Sequence, residues 1–242
     1  MRDVPPLDGL QLPPAVRVER DESFVRIHLE PRGGGVGTLD VRVNGVPVPA
    51  SSGQVELHEA PLLPGQENVV TVVAANQDDS IRSRAARAIW VEKPGAARRP
   101  SSLYAIVGGV SRYDDRALSL RYASRDAVDV ATVVRRAGGR LFGADRVHVK
   151  LLASGSDEPT TAAFEKAFAE VAASAQPEDV VLLFLAGHGV GGADGYAFLA
   201  RDGPLTAARL AKWLNSVRAT RRAIILDTCA AGAAASAFVS AE

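Results

Sequence analysis

The stretch from Asp179 to Gly232 constrains this chain most, because two apolar segments there end in residues that could act together as a nucleophile and its base. The first, Asp179-Val-Val-Leu-Leu-Phe-Leu-Ala186, runs into Gly187-His188-Gly189. The second, Arg222-Ala-Ile-Ile-Leu226, runs into Asp227-Thr228-Cys229-Ala-Ala-Gly232. Continuous apolar runs of this length, bounded by turn residues, predict strands buried on both faces, as in the middle of a parallel sheet covered by helices. A helix-like segment from Thr206 to Val217 lies between them. A strand, crossover helix and strand form a right-handed unit whose two strands end on the same edge of the sheet. His188 and Cys229 are therefore expected side by side, although far apart in sequence.

Composition narrows the class. The chain has 242 residues, 47% of them hydrophobic, enough for two modest domains or one large one with a real core. Lys and Arg number 28 and so do Asp and Glu, so the global charge points to neither nucleic acid nor an anionic membrane. No window has the roughly 18 apolar residues of a membrane span, and Met1-Arg-Asp-Val-Pro-Pro lacks the apolar core of a signal peptide. The expectation is a soluble, cytoplasmic protein. A single cysteine excludes an internal disulfide. A lone Cys with a distant His is a pattern of nucleophilic catalysis, against which stands the plainer reading of a small buried hydrophobe.

Two regimes divide the chain. Residues 1–14 form a Pro-rich lead. From 15 to 92 short alternating runs (Val16–Val18, Phe24–Leu29, Leu39–Val43, Val55–Leu57, Val69–Val73, Ala88–Val91) are separated by turn chemistry such as Asn44-Gly45 and Pro64-Gly65. This predicts a small β-sandwich resembling immunoglobulin or fibronectin type III modules, with a docking or spacer role. His28 and His58 read as solvent-facing strand residues. Residues 93–102 are a linker by composition. From 103 to 242 the rhythm becomes α/β: a strand at Leu103–Val107, a helix from Leu118 to Ala137 stopped by Gly138-Gly139, and a strand at Arg146–Leu152. A helix capped by Thr160 follows, with Phe164, Phe168 and Val171 on one face, and then the two apolar strands. The prediction is a doubly wound, mostly parallel α/β sheet with strand order 2-1-3-4, behind an N-terminal all-β domain.

The blocks at 179–202 and 222–232 resemble the caspase-like cysteine proteases, and among them the metacaspases and their bacterial relatives. The resemblance covers roughly Leu103 to Gly232. It rests on the strand with Gly187-His188-Gly189, followed by Asp194-Gly-Tyr-Ala-Phe-Leu-Ala-Arg-Asp202, and on the strand with Asp227-Thr228-Cys229. Metacaspases usually carry His-Ser after the nucleophile; Ala230-Ala231 stand here, and their small size keeps the turn feasible. The resemblance implies a cysteine endopeptidase with a His188–Cys229 dyad and an oxyanion hole from the backbone N–H groups of Gly189 and Cys229. It also implies a first specificity pocket lined by Asp126 and Asp227, which would select Arg or Lys.

The chemistry is consistent with thiol attack on an amide. A neighbouring imidazolium lowers the pKa of a thiol and supplies a proton to the leaving amine. His148, inside the second strand, reads as structural. A carboxylate at the end of an apolar strand, such as Asp227, needs a partner or a function, whereas Asp126 could also be a solvated helix position. Gly187, Gly189 and Gly192 spell a dinucleotide fingerprint, but no helix follows to hold a pyrophosphate. No metal site is expected, since His188 and Cys229 lack ligating companions at suitable spacing. No cofactor is expected either. Some metacaspases are activated by calcium, but no acid lies between Cys229 and Glu242, where the family often supplies a ligand, which argues against that requirement.

Family sheets continue beyond the nucleophile with two strands and part of the substrate groove. Residues 230–242 are too few to supply them, so the resemblance implies that 103–242 corresponds to a large-subunit portion without its small-subunit segment, either the large piece of a processed or divided enzyme or a shortened chain, and the open edge of the fourth strand is expected to need a cover. Self-cleavage after a basic residue would leave Arg or Lys at the end, whereas the chain ends in Glu242. Two functions follow. One is a protease acting on proteins or peptides, held as a zymogen until an activating partner or processing orders its loops, in the stress or defence settings that bacterial relatives serve. The other is a non-catalytic pseudoenzyme acting as an interaction scaffold.

Overall fold

The computed structural model describes residues 11–93, 99–192, 195–234 and 238. Most of the Pro-rich lead, residues 94–98 of the linker, Asp194 of the motif and most residues after Ala234 lie outside these. The chain divides into two compact units, with the division in sequence between residues 96 and 97, and each is described by itself.

The first unit is antiparallel. Strands β1 (Ala15–Arg20), β2 (Phe24–Glu30) and β5 (Gln54–Glu56) form one sheet in the order β1-β2-β5. A second sheet has the order β4-β3-β6-β7, from β3 (Leu39–Val43), β4 (Val46–Pro47), β6 (Glu67–Ala74) and β7 (Ala86–Val91). Val25, Ile27 and Val55 of the first sheet share one core with Val41, Val43, Val70 and Val72 of the second. Asn44 and Gly45 both adopt positive φ (52° and 77°), the conformation of a two-residue hairpin turn, and so join β3 to the two-residue β4. Asn68 is fully buried but satisfied: its amide oxygen accepts from Asn44 Nδ2 and Leu63 N, both at 2.7 Å.

The second unit is built on a four-stranded parallel sheet of β8 (Leu103–Gly109), β9 (Val147–Ala153), β10 (Val180–Ala186) and β14 (Arg221–Asp227). Their order is β14-β10-β8-β9, the 2-1-3-4 arrangement that the alternating pattern predicts. From β8 the chain crosses one way to β9, then returns past β8 to β10 and on to β14. Right-handed crossovers running in opposite directions put their helices on opposite faces. Helix α1 (Ala123–Phe142) packs Ala123, Ala127 and Ala131 against Ala105, Val107, Phe184 and Ala186. On the other face α2 (Thr161–Ser174) and α3 (Ala207–Ser216) share a larger core, with Phe164, Phe168 and Leu210 at or below 1% exposure. A three-stranded antiparallel sheet, β11 (Gly189–Gly192), β12 (Gly195–Ala200) and β13 (Gly203–Thr206), follows β10.

Thr160 and Thr206 cap α2 and α3, their hydroxyls accepting from Ala163 N and Arg209 N, each at 3.2 Å. The start and stop of α1 differ from the sequence reading. Residues Arg116–Leu118 form a separate turn of 3-10 helix, and the α-helix starts at Ala123. Gly138-Gly139 does not end it: a Cβ at Gly138 would lie 3.0 Å from Leu103 Cδ2 and 3.2 Å from Val147 Cγ2, so this glycine serves packing. The helix ends at Gly143, whose φ of +97° suits a residue without Cβ.

Because α1 lies over β8 and β9, no described element covers the same face of β14. Ala223, Ile225 and Asp227 are all exposed there, Ile225 at 50%. Among the described residues nothing pairs with the outer edge of β14.

Candidate active site

Ligand sites in open α/β sheets lie beyond the carboxyl ends of the strands, where the strand order reverses. That reversal falls between β8 and β10, and His188 follows β10 directly. The parallel ladder continues past the strand end: Gly187 N donates to Asp227 O at 3.3 Å. Two residues on, a Cβ built on Gly189 would fall against the Cys229 carbonyl oxygen and 2.8 Å from Thr228 Oγ1. Only a glycine lets the two segments approach this closely. The strand ends thus bring together His188, Gly189, Asp227 and Cys229, with the thiol exposed and His188 half-buried.

The imidazole is oriented by groups that sequence reasoning did not single out. Its Nε2 lies 2.9 Å from the carbonyl oxygen of Leu118, in the loop after β8. A carbonyl can only accept, so Nε2 carries hydrogen, and in the neutral ring Nδ1 is left as the proton acceptor. The backbone N–H of His188 donates to the hydroxyl of Tyr113 at 3.0 Å, and the two rings lie 5.3 Å apart, tilted by 42°. Burial raises the Tyr113 phenol above its ordinary value, partly offset by this hydrogen bond, so it stays neutral. A backbone carbonyl has no sequence signature, which is why Leu118 could not be read in advance. No hydrogen bond joins the His188 ring to Cys229 among the described residues. Such contacts commonly tighten only when substrate is bound.

The loop carrying Cys229 is held from below. Tyr196 of β12 is buried, and its hydroxyl lies 2.7 Å from Thr228 Oγ1. Ala230, directly after Cys229, has a φ of +56°, a left-handed conformation that costs a residue with Cβ about 1–2 kcal/mol. Strain of this kind persists where surrounding structure enforces it, and it turns the chain sharply at the thiol.

The backbone N–H of Gly189 is free of the hairpin. Gly189 faces Phe198 across β11 and β12, and Leu199 N donates to His188 O, which makes the Gly189–Phe198 pair the non-hydrogen-bonded kind. In such a pair the N–H points away from the partner strand.

Asp126 lies in the first turn of α1, half-buried. Asp227 shares a rung with Ala186 and Gly109, and its side chain faces the α1 side of the sheet. Ser124 Oγ donates to Gly109 O at 3.1 Å, which fixes the start of α1 at this rung, about 10 Å or two strand spacings from Asp227. The two carboxylates therefore share a face and an edge. His148 lies on β9, away from this edge, stacked on Tyr104 with centroids 4.7 Å apart. Among the described residues no group of three His, Cys, Asp or Glu side chains could hold a metal ion.

A parallel α/β domain with an exposed cysteine and an oriented histidine at adjacent strand ends defines a class, and its sequence shows the family. The family model described as the caspase domain matches residues 102–241, more than half of the chain. The chain belongs to the caspase-domain family, a family of cysteine peptidases. No curated protein matches it. Among solved structures, the chain resembles protein GSU0716 from Geobacter sulfurreducens at 20% identity and a TM-score of 0.43, over 53% of this chain and 50% of that one. It spans about half the length of that protein. A weaker likeness, 16% identity and a TM-score of 0.19, is to pectate lyase Pel3 from Pectobacterium carotovorum, over 41% of this chain and 36% of that one. No helix among the described residues is long and apolar enough to cross a membrane.

Proposed function

We propose that this chain carries the catalytic dyad of a cysteine endopeptidase, with Cys229 as nucleophile and His188 as its general base and acid, cutting protein substrates after Arg or Lys. The observation that carries the reading is the grip of the Leu118 carbonyl on His188 Nε2, beside a glycine that lets the nucleophile segment approach. A histidine of purely structural use needs no fixed tautomer at the strand-end edge that also carries an exposed thiol.

In the proposed reaction Nδ1 of His188 takes the thiol proton and Sγ of Cys229 attacks the scissile carbonyl carbon. The carbonyl π electrons move to oxygen, and the oxyanion accepts hydrogen bonds from the backbone N–H groups of Gly189 and Cys229. A single donor of this kind contributes about 3 kcal/mol. Collapse of the intermediate breaks the C–N bond, and the imidazolium gives its proton to the departing amine. Water, deprotonated by His188, then cleaves the thioester and releases the acid, restoring thiol and neutral imidazole. Leu118 O and Tyr113 keep the ring aligned through both proton transfers.

The preference for a basic residue rests on Asp227 and Asp126, two carboxylates on one face of the same sheet edge. A charge-assisted hydrogen bond to one of them contributes roughly 1.5–3 kcal/mol. The uncovered face and open edge of β14 among the described residues favour regulation by a covering segment, either further strands of a caspase-like sheet or a partner. The N-terminal unit serves as an immunoglobulin-like docking module. Cys229→Ala in the complete protein abolishes cleavage, and Asp227→Ala removes the preference for a basic residue more than it weakens binding in general. Unchanged cleavage of basic substrates by Asp227→Ala would refute the pocket assignment.

A further inference from the structure

Beyond the dyad, one cavity in the second unit has a chemistry that neither the sequence motifs nor the family resemblance uses. It encloses about 470 Å³ and is lined by Arg112, Tyr113, Arg116, Ser119, Glu158 and Arg201. Three loops meet there: the one after β8, the one after β9 and the turn between β12 and β13. The lining holds three guanidinium groups against one carboxylate. Arg112 Nη2 donates to Glu158 Oε1 at 3.1 Å, and Arg201 Nη1 lies 3.4 Å from Glu158 Oε2. Arg201 Nε also donates to Asp114 Oδ1 at 3.1 Å. Glu158 is kept ionised at neutral pH, foremost by the N–H of Gly155, so its charge counts in full against the arginines. Asp115, beside Arg116, spends its Oδ1 on the N–H of Ala117. Arg116 is exposed and makes no ion pair with a carboxylate among the described residues, so of the three guanidinium groups in the lining it is the one not already held by an acid.

The position of this cavity gives the charge a use. Tyr113 and Ser119 of its wall flank the two contacts that hold His188, the Tyr113 hydroxyl and the Leu118 carbonyl. The cavity therefore lies beside His188. In thiol attack on an amide the leaving nitrogen must come to the imidazolium to be protonated, so the substrate chain that follows the scissile bond leaves the site on the histidine side. Chain running that way meets the loop carrying Tyr113, Arg116 and Ser119.

On the basis of the peptidase reading, we infer that this cavity is a subsite for an acidic side chain, Asp or Glu, close after the scissile bond, with Arg116 as its receptor. Substrates of this chain then carry a charge pair of fixed order: a basic residue before the cut, held by Asp227 and Asp126, and an acidic one soon after it. The same order keeps a basic residue out of the second position, where it would face an arginine.

The test uses the complete protein and internally quenched peptides with Arg, or in a parallel series Asp, before the scissile bond. Each of the three following positions carries in turn Glu, Ala or Lys. Wild type cleaves the best-placed Glu peptide with a kcat/KM at least about tenfold above its Ala counterpart, and the Lys peptide below it, as a charge-assisted bond requires. Arg116→Ala brings the Glu to Ala ratio close to one. Arg116→Glu reverses the order so that Lys is preferred, an inversion that a merely structural role for Arg116 would not produce. Cleavage in either series with the same kcat/KM for Glu and Ala at all three positions overturns the subsite and leaves the peptidase reading standing. No cleavage in either series, together with an unreactive Cys229, overturns both.

Discussion

Replacing Gly189 by alanine probes the closest contact of the site. A Cβ there would press on the carbonyl oxygen of Cys229 and lie 2.8 Å from Thr228 Oγ1 and 2.9 Å from Thr228 Cβ. Ordinary heavy-atom contacts sit near 3.5 Å, so residues 228–229 must retreat by roughly 0.6 Å at Thr228 and about 1 Å at Cys229. A misplacement of about 1 Å at a reacting group costs on the order of 100-fold in rate, equivalent to about 2.7 kcal/mol of barrier. The overpacking itself costs about 1–3 kcal/mol of stability. The assay is kcat/KM of the complete protein on an Arg peptide, with thermal unfolding measured in parallel. Gly192→Ala is the control, because a Cβ at Gly192 in the same hairpin meets nothing within 4 Å. The expected result is a loss of about 100-fold for Gly189→Ala and no more than a few-fold for Gly192→Ala. Equal rates for the two variants would refute the claim that the approach of β11 to the nucleophile segment sets the reactive geometry.

Other outcomes follow from the same contacts. Tyr113→Phe removes the hydroxyl that accepts the His188 N–H inside a region where Tyr113 is only 6% exposed, so it destabilises the fold by about 1–2 kcal/mol and lowers Tm by several degrees; calorimetry checks this. Asp179→Asn weakens a fully buried carboxylate that accepts from Ser102 N at 2.7 Å, Gln176 N at 2.8 Å and Arg99 Nη2 at 2.6 Å; denaturant unfolding is expected to show a loss of about 2–4 kcal/mol. Burial raises the phenols of Tyr113 and Tyr196 above the ordinary value of 10.0, so the folded state keeps protons that the unfolded state releases. Their contribution is fully present below pH 10 and is lost as pH rises through the folded values. Unfolding followed together with phenolate absorbance should therefore set in only on the alkaline side of pH 10.

How much was legible in the sequence depended on the kind of signal. The run from Val180 to Ala186 is apolar at every position and its neighbours alternate with helices, so the parallel sheet and its strand order could be read directly. The turn at Asn44-Gly45 carries its own conformational preference and marked the hairpin after β3. Helix α1 runs past Gly138, which looks like a stop in sequence but answers to the side chains of Leu103 and Val147, which only the fold brings near. Strand β11 is Gly-Val-Gly-Gly, a sequence with almost no strand propensity of its own, and exists because β12 pairs with it. His188 and Cys229 stood out by residue type and by following strands. The Leu118 carbonyl did not, since any residue offers one, and neither did the arginine-lined cavity, whose members come from three separate loops.

The most direct test of the central claim is intact-mass labelling of the complete protein with peptide chloromethyl ketones ending in Arg or in Asp, with Cys229→Ala as the control. The account predicts one added label, on Cys229, from the Arg reagent alone, and none in the variant. No labelling by either reagent, with and without candidate activators, would contradict it and identify the domain as a caspase-like scaffold without peptidase chemistry.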